Sequence, residues 1–92
     1  MPKEKMPEEL MIEARTLIEK ACNLHQGSIA GDPDIDDLGI DSMDRVELAM
    51  AIEDATGGKI AEDKEFVWVC VSDVAHALRT TREAASVQGV AA

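Results

Sequence analysis

The chain has 92 residues, enough for one compact domain, and its mixture of 46% hydrophobic and 30% charged residues is typical of a globular protein rather than a disordered or fibrous one. Its longest apolar run, residues 66–71, is far shorter than the roughly 18 residues needed to cross a bilayer, and no secretory signal pattern opens the chain, so we expect a cytoplasmic protein without membrane insertion. The net charge of −10 disfavours nucleic acid and favours basic protein partners.

A first amphipathic helix is predicted over about residues 8–23, after a short polar tail at residues 1–6. Pro7 needs no amide partner at a helix start, and the two glutamates that follow it suit the positive end of the helix dipole. Apolar side chains then recur on one helical face: Leu10, Ala14, Leu17, Ile18 and Ala21.

Residues 23–41 are predicted to form a long connection, because glycine, proline and aspartate are frequent there. Connections of this length are usually functional, disordered or fastened to the core. We expect five scattered apolar side chains to fasten this one: Leu24, Ile29, Ile35, Leu38 and Ile40.

A second helix is predicted from about Ser42 to Ala55, with Asp41 as its N-cap and glycines 57 and 58 at its end. One face carries the apolar residues Leu48, Ile52 and Ala55, and the opposite face carries Met43, Val46 and Met50. Carboxylates border the second face. A bundle can bury both faces, but an apolar strip with a charged rim also suits a docking surface.

The negative charge of the chain is concentrated around this helix. Residues 32–54 contain nine acidic side chains and one basic side chain, Arg45, which gives this segment a net charge of −8. A solvated acidic surface is the simplest interpretation, and a surface that attracts basic partners is the functional one.

Residues 66–71 have the β-branched and aromatic composition of a strand. No second convincing strand is present, and a lone strand leaves its backbone groups unpaired. We therefore predict a short irregular helix around residues 62–68 and an extended approach to the last helix. Ser72 and Asp73 are expected to cap that helix, which runs to about Ala84 and leaves residues 86–92 as a frayed tail.

Signals for an enzyme are weak, because no histidine stands in a recognisable relation to a nucleophile. His25 and His76 are expected at the surface. Cys22 and Cys70 match no disulfide scaffold and no metal-ligand spacing, so we expect reduced thiols.

Calcium binding is the sharper alternative, because Asp32, Asp34 and Asp36 occupy positions 1, 3 and 5 of an EF-hand loop. Position 6 is Asp37 where the tight turn needs glycine, and position 12 is Met43 where a bidentate glutamate is required. We therefore expect no specific metal site.

Ser42 is the residue that these patterns leave without a structural role. A serine at a helix start usually serves as the cap, but Asp41 already occupies that position. Ser42 is then left at the positive end of the helix dipole, where free amides favour a phosphate ester on its oxygen. Asp41 and Asp44 oppose this electrostatically, so their carboxylates must serve another purpose.

Residues 37–54, DLGIDSMDRVELAMAIED, resemble the acyl carrier proteins, specifically the freestanding bacterial type, whose members share a DLGxDSL motif followed by an acidic helix. Weaker similarity extends from about residue 8 to residue 78. The resemblance implies an all-α, four-helix bundle with a short or irregular third helix and a long loop between helices one and two. Residues 7–85 would form this single carrier domain.

The resemblance also implies a prosthetic group. A phosphopantetheinyl transferase would attach 4′-phosphopantetheine to Ser42 through a phosphodiester, and the thiol of this arm would carry acyl groups as thioesters. The carrier would catalyse nothing itself and would deliver its cargo to enzymes of fatty-acid, polyketide or related lipid synthesis.

Two surfaces are implied by the same resemblance. Partner enzymes with basic patches would dock on the second helix, against Asp41, Met43, Asp44, Val46, Glu47, Met50, Glu53 and Asp54. An acyl chain would lie near Leu48, Ile52, Ile60 and Phe66. We expect a monomer. The alternative is an unmodified acidic helical module that binds a basic protein partner.

Three features depart from the family pattern. Met43 replaces the usual leucine after the serine, Arg45 places a positive charge in the acidic helix, and the region from Phe66 to Cys70 is bulkier and more β-branched than is typical. These departures suggest a specialised carrier with a dedicated partner or cargo.

Overall fold

The structure, a computed structural model, describes residues 6–61 and 63–91, with side chains up to residue 86. Three α-helices form its frame: α1 (Glu8–Ala21), α2 (Ser42–Thr56) and α3 (Val71–Ala91). Two short 3₁₀ helices, Ile35–Leu38 and Lys64–Val67, lie in the connections between them. The described ranges contain no strand, so the all-α class is confirmed.

The predicted four-helix bundle is not confirmed, because only three of the helical elements are α-helices. The irregular helix expected around residues 62–68 is the 3₁₀ helix Lys64–Val67; residue 62 lies outside the described ranges. The segment that follows it is extended and pairs with the connection before α2. The N–H of Ile35 donates to the carbonyl of Val69 at 2.8 Å, and the N–H of Val71 donates to the carbonyl of Pro33 at 3.2 Å. These pairings satisfy backbone groups that a helix would have paired internally.

The helix ends differ from the predicted ones for local reasons. α1 stops at Ala21, because Asn23 adopts a left-handed backbone conformation with φ 58°. α2 ends at Thr56, where Gly57 takes the left-handed C-terminal position with φ 77°. A side chain at Gly58 would lie 2.7 Å from the Thr81 carbonyl, so this second glycine allows α3 to approach closely.

α3 begins at Val71, earlier than predicted, so Ser72 and Asp73 lie in its first turn rather than before it. One oxygen of the Asp73 carboxylate accepts from the N–H groups of Val69 at 2.8 Å and of Cys70 at 3.2 Å. α3 continues through Ala91, past the predicted end near Ala84 and across most of the expected 86–92 tail. The sequence of this stretch contains several alanines and no proline, which allows the helix to continue. Of the predicted N-terminal tail, only Met6 is described, and it packs against the core.

The core lies between the three α-helices. Its largest fully buried side chains come from all three helices and from the first 3₁₀ helix: Ile18, Ile35, Leu48, Ile52, Val71, Val74 and Leu78. The connection is fastened as predicted, because Ile29, Ile35 and Ile40 are buried and Leu24 and Leu38 pack against the core. Ala55 is exposed, unlike its predicted companions Leu48 and Ile52. Within the described ranges, no helix has the length and apolar content that a membrane span requires.

A buried carboxylate, Glu19, organises the start of the connection. Glu19 is only 5% exposed, and its two oxygens accept from the N–H of Gly27 at 3.0 Å and the N–H of Ile29 at 3.1 Å. The charge is therefore satisfied by two backbone donors, and the turn over Gly27 is tied to α1.

We expect the substitution Glu19→Ala to lower the free energy of unfolding by about 2–3 kcal/mol, because hydrogen bonds to a charged group contribute about 1.5–3 kcal/mol and both donors lose their acceptor. Urea denaturation followed by circular dichroism measures this. The exposed α1 residue Glu9 provides the control, since Glu9→Ala should cost less than about 1 kcal/mol. An unchanged midpoint for Glu19→Ala would show that the buried carboxylate does not hold the loop.

Candidate functional site

The N-terminus of α2 is closed by a reciprocal pair of aspartates. The Asp44 N–H donates to Asp41 Oδ1 at 2.9 Å, and the Asp41 N–H donates to Asp44 Oδ2 at 3.2 Å, which completes a capping box. Asp41 is the N-cap, as predicted, with extended backbone angles. These carboxylates are therefore occupied by backbone amides.

Ser42 is the first residue of α2 and is exposed. The residue two positions before it, Ile40, is 6% exposed and anchors the chain in the core. Asp41, Ser42 and Met43 then lie at the surface together. Because Asp41 supplies the cap, the Ser42 hydroxyl makes no hydrogen bond to another residue of the described ranges. It is an accessible alcohol at the positive end of a helix.

The outward face of α2 is apolar, as the sequence predicted. Met43 is 74% exposed, Met50 61% and Val46 40%, although all three are large hydrophobic side chains. Of the predicted carboxylates in this region, Asp41, Glu47 and Asp54 are exposed, and Asp44 is half-buried in the capping box. An apolar strip with acidic neighbours therefore begins directly beside Ser42.

Glu53 is placed differently from the other predicted rim residues. It is half-buried, and its Oε2 accepts from the N–H of Ile60 at 2.8 Å. The carboxylate thus ties the end of α2 to the segment after it. This role was not visible in the sequence, because it depends on the chain reversing at Gly57 and Gly58.

Arg45 does not present its positive charge to solvent. Its side chain is 11% exposed, and Nη1 donates to the carbonyls of Glu65 and Trp68, both at 2.8 Å. Its other terminal nitrogen lies 3.4 Å from Asp36 Oδ1. One guanidinium therefore joins α2, the first 3₁₀ helix, the second 3₁₀ helix and the residue directly after it. The sequence showed Arg45 only as an unexplained charge.

The four predicted acyl-pocket residues differ in their burial. Leu48 and Ile52 are fully buried in the core, whereas Phe66 is 46% exposed. Ile60 is half-buried and lines a cleft of ≈ 410 Å³ between residues 59–68 and α3. Other residues of that cleft include Trp68, His76, Ala77 and Thr80.

The aspartates of the EF-hand-like pattern have separate structural partners. The Asp32 carboxylate accepts from the N–H of Ser72 at 2.8 Å, the backbone of Asp34 pairs with that of Cys70, and the Asp36 carboxylate lies 3.4 Å from Arg45. Across the part of the chain that the structure describes, no group of three metal-ligating side chains converges on a common point.

The Cys22 thiol lies beside the start of α2, since its Sγ lies 3.9 Å from the carbonyl oxygen of Asp44. The pKa of Cys22 is raised to about 11, first by burial of the thiol and then by the nearby carboxylates of Asp44, Glu47 and Asp41. The thiolate is the reactive form of cysteine. At neutral pH this thiol is therefore protonated and a poor nucleophile.

A family model described as "Phosphopantetheine attachment site" matches residues 13–78, which is more than half of the chain. The chain belongs to this family. The domain of this family is a site of covalent 4′-phosphopantetheine attachment. The match confirms the carrier family that residues 37–54 resemble. The comparison with solved structures finds no match.

The N-terminus of α2 fits a phosphopantetheine group. Attachment through a phosphodiester needs a hydroxyl that is accessible and unpaired, and Ser42 provides one. A helix N-terminus favours the negative charge of the phosphate. The carboxylates of Asp41 and Asp44 each accept one backbone N–H in the capping box. When bound, the group supplies a flexible arm that ends in a thiol.

We expect iodoacetamide to alkylate Cys22 about a hundredfold more slowly in the folded protein than in the urea-unfolded chain at pH 8. The reason is that its pKa moves from 9.0 to about 11, and each pKa unit changes the thiolate fraction about tenfold. Mass spectrometry of the Cys70→Ser variant isolates this thiol, and Cys22→Ser provides the matched control. Equal rates in the folded and unfolded chains would contradict the buried, carboxylate-flanked environment.

Proposed function

We propose that the protein is an acyl carrier protein, modified with 4′-phosphopantetheine on Ser42 and carrying acyl intermediates as thioesters on the thiol of that arm. The observation that carries this proposal is the exposed, unpaired Ser42 hydroxyl at the start of α2, within a chain that belongs to the phosphopantetheine-attachment family. A serine ester would be a poor acyl donor, which explains the need for a separate thiol.

The chain's own residues would position the arm and would not perform the acyl transfer. The buried Ile40 and the capping box hold the backbone on either side of Ser42, so the hydroxyl oxygen has a defined place for the transferase. Cys22, the thiol near the capping box, is protonated at neutral pH and is unsuited to carry the cargo itself. Carrier domains of this kind are typically non-catalytic.

The partners of such a carrier are a phosphopantetheinyl transferase and acyl-transferring or synthase enzymes, here of fatty-acid, polyketide or related lipid synthesis. The basic patches of these enzymes would dock on α2. Met43, Val46 and Met50 would be the apolar anchors, with Glu47 and Asp54 among the exposed acidic side chains around them. The net charge of −8 over residues 32–54 opposes self-association through this face, so we propose a monomer. We also propose that it acts in the cytoplasm.

Incubation with coenzyme A and a broad-specificity phosphopantetheinyl transferase should add one phosphopantetheine group to the native chain. Intact-mass spectrometry detects the addition. Ser42→Ala should gain none, because it removes the oxygen that forms the phosphodiester. The control Ser28→Ala, which changes another exposed serine, should be modified as the native chain is.

Two outcomes would count against this assignment. Modification of Ser42→Ala would place the attachment on another residue. A native chain that stays unmodified, although it is folded and the transferase modifies a known carrier in the same tube, would favour the unmodified acidic interaction module.

The acidic docking surface predicts a charge-dependent rate. Glu47→Lys combined with Asp54→Lys should lower kcat/KM for the transferase about tenfold at low salt, because these exposed carboxylates steer a basic partner to α2. The difference should shrink as sodium chloride is raised, since salt screens exposed charges.

The control is the same charge reversal elsewhere, Glu9→Lys with Glu83→Lys, at exposed positions of α1 and α3. It should lower the rate much less. Equal losses from both pairs would show that net charge alone, rather than the α2 face, governs docking.

A further inference from the structure

The cleft of ≈ 410 Å³ between residues 59–68 and α3 has apolar side chains on both sides. Ile60, Val67 and Trp68 line it from the connection, and Ala77 lines it from α3. Trp68 is only 6% exposed and belongs to the core cluster. Small-molecule sites are typically clefts of about 300–1,000 Å³ lined by hydrophobic and aromatic side chains with a few polar groups. The size and lining of this cleft therefore suit a molecule with an apolar body.

α3 contributes one continuous face to the cleft. Its lining residues fall at positions i, i+3, i+4, i+7, i+8 and i+11 of one helical face: Asp73, His76, Ala77, Thr80, Thr81 and Ala84. The Thr80 hydroxyl donates to the carbonyls of His76 and Ala77 at 3.1 and 3.3 Å. The exposed imidazole of His76 bonds to no other residue of the described ranges. This imidazole is therefore available to a bound molecule.

Charge distinguishes this cleft from the α2 face. Lys59 and Lys64 line it, and both are exposed. Neither forms an ion pair with another residue of the part of the chain that the structure describes. Of the described lining residues only Asp73 is acidic, and its carboxylate already accepts from the N–H groups of Val69 and Cys70. In a chain of net charge −10, this cleft combines an apolar lining with two available cations.

This combination defines the chemistry of a complementary ligand. A hydrocarbon body that packs beside Ile60 and Trp68 is removed from water, which is favourable. A carboxylate at the end of that body accepts charge-assisted hydrogen bonds from the lysine ammonium groups, and these are stronger than bonds between neutral groups. The acidic α2 face repels the same anion. An amphipathic anion therefore fits the cleft and not the docking face.

The cleft and the attachment site share a support on α2. Arg45, three residues after Ser42, donates to the carbonyl of Trp68 at 2.8 Å. The Arg45 side chain is only 11% exposed, and hydrogen bonds in such a position are stronger than at a surface. One wall of the cleft is therefore tied to the helical turn that carries Ser42.

We propose that this cleft is a binding site for an amphipathic anion, a molecule with a hydrocarbon body and a terminal carboxylate, and that Lys59, Lys64 and the His76 imidazole hold the carboxylate. A free molecule and the far end of a group carried on the Ser42 arm both have this chemistry. The free source is independent of the proposed carrier function, whereas the tethered source rests on it. Two experiments separate these sources.

The first experiment uses the Ser42→Ala chain, which cannot carry a tethered group, with decanoate as the probe and decanol as its neutral counterpart. Trp68 is the only tryptophan of the sequence, so its indole N–H gives a single NMR signal that reports on the cleft. Decanoate should shift this signal on titration. Lys59→Gln with Lys64→Gln should weaken decanoate binding about tenfold and leave decanol binding unchanged, because only the carboxylate loses its partners. The control Lys20→Gln, at an exposed lysine of α1, should change neither affinity.

The second experiment uses the native chain after transfer of acyl-phosphopantetheine from two coenzyme A thioesters of equal chain length. One carries a decanoyl group, and the other carries the monothioester of decanedioic acid, which ends in a carboxylate. The carboxylate-ended group should shift the Trp68 indole signal, and the Lys59→Gln/Lys64→Gln variant should lose this shift. The decanoyl group has no anionic end, so its spectrum should be the same with and without the two lysines.

The outcomes identify the source or overturn the proposal. A lysine-dependent shift in the first experiment identifies a free anion, and one in the second experiment alone identifies a tethered group. Equal binding of decanoate and decanol, unchanged by loss of the lysines, would show that the carboxylate is not recognised and would overturn the proposal. A Trp68 signal that moves in neither experiment would also overturn it. A native chain that is never modified contradicts the carrier function, and the first experiment then still decides whether the cleft binds an anion.

Discussion

The capping box between Asp41 and Asp44 is the interaction on which the site depends. A helix start leaves backbone amides without partners, and serine is one of the residues that usually satisfies them. Here Asp41 accepts from the Asp44 amide at 2.9 Å, so Ser42 does not act as the cap. One local arrangement thus provides an accessible hydroxyl at the positive end of a helix.

Three further charged side chains bind the segments that connect the helices. Glu19 ties the first part of the connection to α1, Arg45 joins the second 3₁₀ helix to α2, and Glu53 fixes Ile60. Each is a charged side chain that binds backbone groups of a connecting segment. These bonds add to the backbone hydrogen bonds within the connections.

Much of this architecture could be predicted from the sequence, because it depends on local patterns. The start of α2, the role of Asp41 and the apolar faces of that helix follow from capping preferences and helical periodicity. The buried isoleucines of the connection were likewise predictable. The roles of Glu19, Glu53 and Arg45 were not, since each depends on which loop lies opposite the side chain after folding. The exposure of the predicted acyl-pocket residues could not be predicted either, since Leu48 is buried in the core and Phe66 is 46% exposed.

We propose that the attachment site at Ser42 is preformed, so that its modification requires no rearrangement of the helices. Amide chemical shifts of the ¹⁵N-labelled protein before and after addition of the phosphopantetheine arm test this most directly. The account predicts changes confined to the turn from Asp41 to Arg45, with the Asp44 amide protected from hydrogen exchange in both states. Shifts spread through the core residues of α1 and α3, or rapid exchange of the Asp44 amide, would contradict it.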